Sequence, residues 1–266
     1  MKIREITDAI EQFAPLRLQE EWDNAGFQVG DPEAEVTGVL LCTDATEAVV
    51  AEAAFLGYNL VIAHHPLIFH GLKKIMGRTH VERTVARAIK CGITIYSAHT
   101  NMDSAWQGVS FRMADKIGMT DVEFLDANTV EAYGEQQSAT AGCGVIGNID
   151  PMAARDVLKR VKAAFEVGAV RYSGDGDTIV SRVALCGGAG GFLLDKAVEQ
   201  GAQLYVTADM RYHDFLDNSE RIVTADIGHY ESEHFTKEIF LEIIQKKNPT
   251  FAVAFSQSEE NQVNYL

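Results

Sequence analysis

Three short clusters in this chain carry side chains of the kind that bind metal ions or move protons. The first is Ala63-His64-His65-Pro66, at the end of an apolar run; the second is His99-Thr100-Asn101-Met102-Asp103. The third is Gly228-His229-Tyr230-Glu231-Ser232-Glu233-His234. His229 and Glu233 are four residues apart, so a helix beginning there would set both on one face. An imidazole and a carboxylate at that spacing suit a metal ion. Each cluster taken alone also fits a plain structural role. Two histidines can simply hydrogen-bond within a loop, Asp103 can cap a helix, and Glu231 and Glu233 can complement a helix dipole. Adjacent residues on a strand face opposite ways, which makes it awkward for His64 and His65 to grip one ion. At a strand end they could instead serve two neighbouring ions. Pro66 biases His65 toward an extended backbone.

Taken together, His64, His65, Asp103, His229 and Glu233 make three imidazoles and two carboxylates, read here as a two-metal centre. That mixture suits Zn, Mn, Fe or Co and speaks against Ca, which takes oxygen ligands throughout. Two further groups are weaker. Gly187, Gly188 and Gly190 lie in Cys186-Gly187-Gly188-Ala189-Gly190-Gly191, between an expected strand and helix, where free N–H groups could cradle a phosphate. The run fits neither the dinucleotide fingerprint nor the P-loop, and a tight turn accounts for it equally well. His213 follows Asp209-Met210-Arg211-Tyr212 and is a candidate proton carrier or a loop histidine.

The elements that must position these side chains repeat. Gly38–Cys42 and Leu60–Ala63 read as strands flanking a helix from Glu47 to Phe55. Val183–Cys186 and Leu204–Thr207 flank another from Phe192 to Glu199. The two segments superpose without a gap at an offset of 144: Val39 on Val183, Leu41 on Leu185, Cys42 on Cys186, Gly57 on Gly201 and Leu60 on Leu204. Short, near-continuous apolar strands joined by a helix describe a parallel pair buried on both faces. The glycines fall where a helix end needs a left-handed residue. Third strands are expected at Ile95–Ala98 and Ile222–Ala225. In α/β sheets ligands lie at the carboxyl ends of strands, which is where the histidine clusters fall. The fold class is therefore α/β and duplicated, with residues 1–127 (joined by part of 229–266) as a first domain and 128–228 as a second. The polar stretch from Asn128 to Ala141 reads as the connection, Ala153 to Phe165 as a helix, Glu231 to Gln245 as one long helix, Ser104 to Met113 as helical, and Phe251–Phe255 as a last strand.

A net charge of −15 argues against binding long nucleic acid or an anionic membrane, though not against nucleotides, since a metal can supply local positive charge. No apolar run approaches the ~20 residues that span a bilayer, and no signal-peptide pattern opens the chain. The 4 cysteines are widely spaced and read as reduced core thiols, consistent with the cytoplasm.

These residues carry a resemblance. Trp22-Asp23-Asn24-x-Gly26, His64-His65-Pro66-Leu67, Ala98-His99-Thr100-Asn101-Met102-Asp103, Gly187-Gly188-x-Gly190, Thr207-x-Asp209 and Gly228-His229-x-x-x-Glu233 occur in the order of the NGG-one-interacting-factor-three-like family, whose members are described as GTP cyclohydrolase one type two homologues. The chain resembles its short form, without the inserted middle domain. The resemblance implies two intertwined α/β domains with mixed sheets flanked by helices, a di-metal site between them, and a toroidal homohexamer. It places the ligands on His64, His65, Asp103, His229 and Glu233, with Glu233 bridging two ions. It implies a dinuclear metal-dependent hydrolase opening GTP, or a related nucleotide or heterocycle, at purine C8 with release of formate. His99 is then the candidate proton shuttle, and the glycine loop a phosphate contact. A metal-binding regulatory or scaffold protein without turnover and a di-metal phosphoesterase are the alternatives.

Overall fold

The computed structural model describes residues 1–266 and contains eleven strands and ten α-helices. The strands are β1 Gly26–Val29, β2 Val39–Cys42, β3 Leu60–Ala63, β4 Thr94–Ser97, β5 Thr120–Tyr133, β6 Ser138–Ala153, β7 Arg171–Ser173, β8 Ile179–Leu185, β9 Leu204–Thr207, β10 Val223–Asp226 and β11 Val253–Phe255. The helices are α1 Ile3–Phe13, α2 Glu47–Leu56, α3 His80–Cys91, α4 Thr100–Asp103, α5 Val109–Lys116, α6 Ala154–Ala164, α7 Leu194–Glu199, α8 Tyr212–Asn218, α9 His229–Glu233 and α10 Thr236–Lys247.

The chain divides into two compact units. The first comprises Met1–Ala105, Tyr133–Ser138 and His234–Gln262; the second comprises Trp106–Ala132, Ala139–Glu233 and Val263–Leu266. The expected divisions lie at 127/128 and 228/229.

In the first unit the sheet order is β1-β4-β3-β2-β11. β11, β2, β3 and β4 run parallel and β1 closes the edge antiparallel to β4. Every residue of β2, β3 and β4 is buried, which is why these strands read as unbroken apolar runs rather than as alternation. Helix α2 begins where the Thr46 hydroxyl accepts the Val49 N–H at 3.3 Å and ends at Gly57, whose φ of 72° is the left-handed conformation expected from sequence. Leu40, Val49, Val50, Val61, Val85 and Ile95 form part of the core under this sheet.

In the second sheet the order is β5-β6-β8-β9-β10-β7, with β8, β9 and β10 parallel and β7 antiparallel at the edge beside β10. Both sheets are therefore mixed. The repeat holds at the level of register: Val39 pairs with Leu60 in the first sheet and Val183 with Leu204 in the second, both pairs separated by the 144-residue offset. The Gly201 φ of 78° matches Gly57. The third strands pair through Thr94 and Val223, so they begin one residue earlier and one later than expected.

Several expected elements differ. The stretch from 128 to 141 is no linker: it lies in the long β5 and β6 strands, joined by a turn at 134–137. Much of β5 is exposed, so its polar composition imitates a loop. The long C-terminal helix is two, α9 and α10, interrupted at His234 and Phe235, where the chain passes from one unit to the other. The helix expected over Ser104–Met113 begins only at Val109, as α5, and the short α4 lies ahead of it at Thr100–Asp103. The second crossover is a 3-10 turn, Gly191–Leu193, followed by the short α7, because Gly190 offers no capping side chain where its counterpart Thr46 caps α2. Among the cysteines, Cys42 and Cys186 are buried, Cys143 is half-buried, and Cys91 is exposed at the end of α3, contrary to a core assignment.

Candidate functional site

In the first unit the backbone continues its strand pairing for two residues past β3, with His64 N–H donating to Cys42 O at 3.2 Å and His65 N–H to Thr43 O at 2.9 Å. The pleat has already ended. The two rings consequently lie on one side, with centroids 5.0 Å apart, and the expected conflict of facing does not arise. His99, beyond β4, joins them at 5.4 Å from His64 and 5.5 Å from His65. Asp103, at the end of α4, brings Oδ1 to 3.7 Å from His64 Nε2. Three sequence-selected histidines and one selected carboxylate thus converge within this unit.

Each of these rings is oriented through Nδ1. His64, fully buried, has Nδ1 2.9 Å from Ala98 O, a carbonyl that can only accept. The proton is therefore on Nδ1 and the basic lone pair on Nε2. His65 Nδ1 lies 2.9 Å from Asp44 Oδ1, and His99 Nδ1 lies 2.8 Å from Asp23 Oδ1. Asp23 also accepts the Thr100 N–H at 3.1 Å, the Asn24 N–H at 2.7 Å and the Thr100 hydroxyl. Burial pushes the Asp23 carboxyl up, yet the hydrogen bonds from His99 and Thr100 outweigh it and hold it at about 2.

In the second unit α9 sets His229 Nε2 3.0 Å from Glu233 Oε2, the pairing expected of a four-residue spacing. His229 Nδ1 lies 2.7 Å from Asp209 Oδ2. Burial works against the imidazolium, but the hydrogen bonds to Asp209 and Glu233 prevail and raise His229 to about 11. Asp209, its carboxyl lowered chiefly by that hydrogen bond, has a φ of 56°, a left-handed position that Asp tolerates better than most residues. Buried Asp226 ties the two loops together: it accepts the Met210 N–H at 2.9 Å and the Gly228 N–H at 3.0 Å, and pairs with Arg171. Glu233 is almost fully buried and lies against Gly188, where a Cβ would stand 2.3 Å from its Oε1.

The glycine loop turns its donors inward. Gly187 N–H donates to Ser110 Oγ at 3.3 Å, Gly188 N–H to Ser232 Oγ at 2.9 Å and Gly190 N–H to Thr207 Oγ1 at 2.9 Å. Its evident local work is to admit Glu233 closely and to hold α9 through Ser232. His213 is exposed on α8 with its ring against Tyr212, and no described bond or ring contact joins it to His229 or Glu233.

The donor set fits divalent metal ions. For His64, His65 and His229 alike, Nδ1 is engaged by a carbonyl or carboxylate, the usual outer-partner arrangement of histidines that ligate through Nε2. Asp23, Asp44, Asp209 and Asp226 were not selected by spacing. Asp23, Asp44 and Asp209 lie 20 or more residues from the rings they orient, and of these only Asp23 and Asp209 fall within the sequence motifs, with no role assigned there.

A family profile described as Duf34/NIF3 (NGG1p interacting factor 3) matches residues 1–262. A GTP cyclohydrolase 1 type 2 homolog of Lactococcus lactis is 37% identical over 243 residues, covering 89% of each chain. One from Clostridium perfringens is 34% identical over 235 residues, covering 88% of this chain and 87% of its own. Among solved structures, a Bacillus cereus protein related to NIF3 superposes with a TM-score of 0.90 at 25% identity, covering 100% of this chain and 99% of that one.

Proposed function

Because the chain belongs to the Duf34/NIF3 (NGG1p interacting factor 3) family, in its short form, we propose that it is a divalent-metal-dependent hydrolase acting on GTP or a related small nucleotide or heterocycle. On this reading His64, His65 and Asp103 of the first unit, with His229 and Glu233 of the second, hold two ions. His64 and His65 in the first unit and Glu233 in the second are donors of the kind a divalent ion takes. The observation that carries the proposal is the shared orientation of the histidines, each Nδ1 held by a carbonyl or carboxylate so that Nε2 is the nitrogen to offer a metal. At His229 that nitrogen meets the Glu233 carboxylate, itself a proposed ligand. Bound ions would supply Lewis acidity and a water ionised near neutral pH.

The remaining work falls to the chain. Asp23 keeps the Nδ1 proton on His99, so its Nε2 can accept a proton from water and return it to a leaving nitrogen. Asp209 and Asp44 fix the ring planes of His229 and His65 in the same way. For a purine attacked at C8 the carbon departs as formate, the opening proposed here; the relatives' name, GTP cyclohydrolase 1 type 2 homolog, supports a GTP substrate. The negative net charge supports a small substrate over a polynucleotide. No helix is long and apolar enough to cross a membrane. A cytoplasmic homohexamer completes the proposal, checked by light scattering of the purified protein.

The test is elemental analysis of the protein beside a His229→Ala, Glu233→Ala variant, followed by formate release from GTP on the same samples. About two ions per chain, lost in the variant together with formate release, is the expected result. Two ions with no formate would remove the cyclohydrolase reading and favour a regulatory metal protein or a phosphoesterase. No metal after reconstitution with Zn, Mn, Fe or Co would overturn the proposal.

A further inference from the structure

One motif from the sequence has no part in the ligand set: Trp22-Asp23-Asn24. Asp23 orients His99, while Trp22 beside it is 58% exposed. The Trp22 ring lies 5.8 Å from Phe69, itself 42% exposed, and both stand over His99, at 6.1 Å and 6.4 Å with edge-on geometry. Two large aromatic rings left in solvent side by side are unusual unless something covers them.

They are not held there by burial but by side-chain amides. Asn24 Nδ2 donates to Ile68 O at 2.7 Å, and Ile68 N–H donates to Gln28 Oε1 at 3.0 Å. Gln28 Nε2 in turn donates to Asn24 O at 2.6 Å. Ile68 is thus gripped on both backbone groups, and Phe69, the next residue, is set against Trp22. A pre-fixed aromatic wall loses little entropy on receiving a flat ligand.

We infer that Trp22 and Phe69 form a stacking subsite for a planar aromatic heterocycle of the substrate, of the nucleobase class, above His99. This rests on the hydrolase reading and names the part of the substrate that reading leaves open. A saturated sugar gains little from such rings, whereas any flat conjugated base gains from their π-faces. Two side chains are also far short of the roughly 800 Å² per partner that a stable protein interface buries.

The experiment uses the full-length, metal-replete protein and guanosine as probe, with ribose 5-phosphate as the non-aromatic control. Guanosine should saturably quench tryptophan emission in the parent and much less in Trp22→Phe, which still binds by calorimetry because a ring remains. Trp22→Ala should bind guanosine about 5- to 100-fold more weakly, with metal content unchanged. Equal guanosine affinity in parent and Trp22→Ala, or equal quenching by ribose 5-phosphate, would overturn the subsite. So would a change in assembly size on Trp22→Ala, which would make the rings an interface between copies. Formate release from GTP with unaltered KM in Trp22→Ala would remove the subsite and leave the hydrolase. Guanosine stacking on Trp22 in a protein that releases no formate would keep the subsite and remove the cyclohydrolase.

Discussion

The two parallel cores share a register but spend their strand ends differently. After β3 the first unit places His64 and His65; at the same offset after β9 the second places Ala208 and Asp209. Position 65 supplies an imidazole, and its counterpart 209 supplies the carboxylate that orients His229. After β2, Asp44 orients His65, and its counterpart Gly188 has no side chain, which is what lets Glu233 approach. One copy therefore builds His64 and His65 at the β3 end, with the support of His65 at the β2 end and that of His64, the Ala98 carbonyl, at the β4 end. The other keeps both functional groups on α9 and uses the β8 and β9 ends as backing. A repeated scaffold fixes where strand ends lie, and the side chains there can exchange roles between proposed ligand and support.

The largest effect should come from ignoring that exchange. Gly188→Ala would put a Cβ 2.3 Å from Glu233 Oε1 at a φ of +60°. The left-handed backbone should cost about 1–3 kcal/mol and the Glu233 carboxylate must move aside, seen as a fall in Tm with loss of metal. At the counterpart, Asp44→Ala should leave Tm almost unchanged. Equal melting of Gly188→Ala and parent would break the comparison.

Next in size are the supporting carboxylates. Asp209→Asn tolerates the left-handed backbone and can still meet His229 Nδ1, so it removes charge alone. Asp44→Asn does the same for His65. Each should weaken metal affinity about 10–100-fold in a competition titration with a chelating dye. A loss at one position only would show that the two supports are not equivalent.

Much of this arrangement is legible in the residues. Val39, Leu60 and Gly57 with their counterparts disclose the duplicated core because strands buried on both faces must be apolar throughout and helix ends need left-handed residues. His229 and Glu233 are legible because a helix converts a spacing of four into contact. Asp23 and His99 are not, since no local periodicity joins residues 76 apart; only the folded edge brings them together. The β5–β6 pair was hidden for a related reason: an exposed strand has no need of an apolar sequence.

Asp23 sharpens the comparison through pH. Its carboxyl is held at about 2 when folded, below its ordinary value near 4. The stability it contributes is full above pH ~4 and is lost as pH falls through about 2. That contribution should be about 1–2 kcal/mol after allowance for screening. Acid melts of Asp23→Asn should lie below the parent at neutral pH and converge with it below pH ~3. Curves that stay parallel through that window would mean that the hydrogen bonds, not the charge, carry the effect. The second unit has no equivalent proton-dependent partner at Gly228, the residue before α9, as His99 is before α4.

The smallest effect tests whether the two crossovers are interchangeable. Thr46 caps α2 by accepting the Val49 N–H at 3.3 Å, so Thr46→Ala should cost about 0.5–2 kcal/mol. For a chain of this size that is a Tm decrease of a few degrees, readable by circular dichroism. Its counterpart Gly190 cannot be given the missing cap. A Cβ there would lie 2.5 Å from Thr207 Oγ1 and 2.6 Å from Cys186 Cβ, so Gly190→Ser should destabilise although it restores the capping residue type. A rise in Tm for Gly190→Ser would show that the 3-10 start of the second crossover is an accident of composition. A fall would show that close packing of the glycine loop, on which the seat of Glu233 depends, excludes the cap that the first copy keeps.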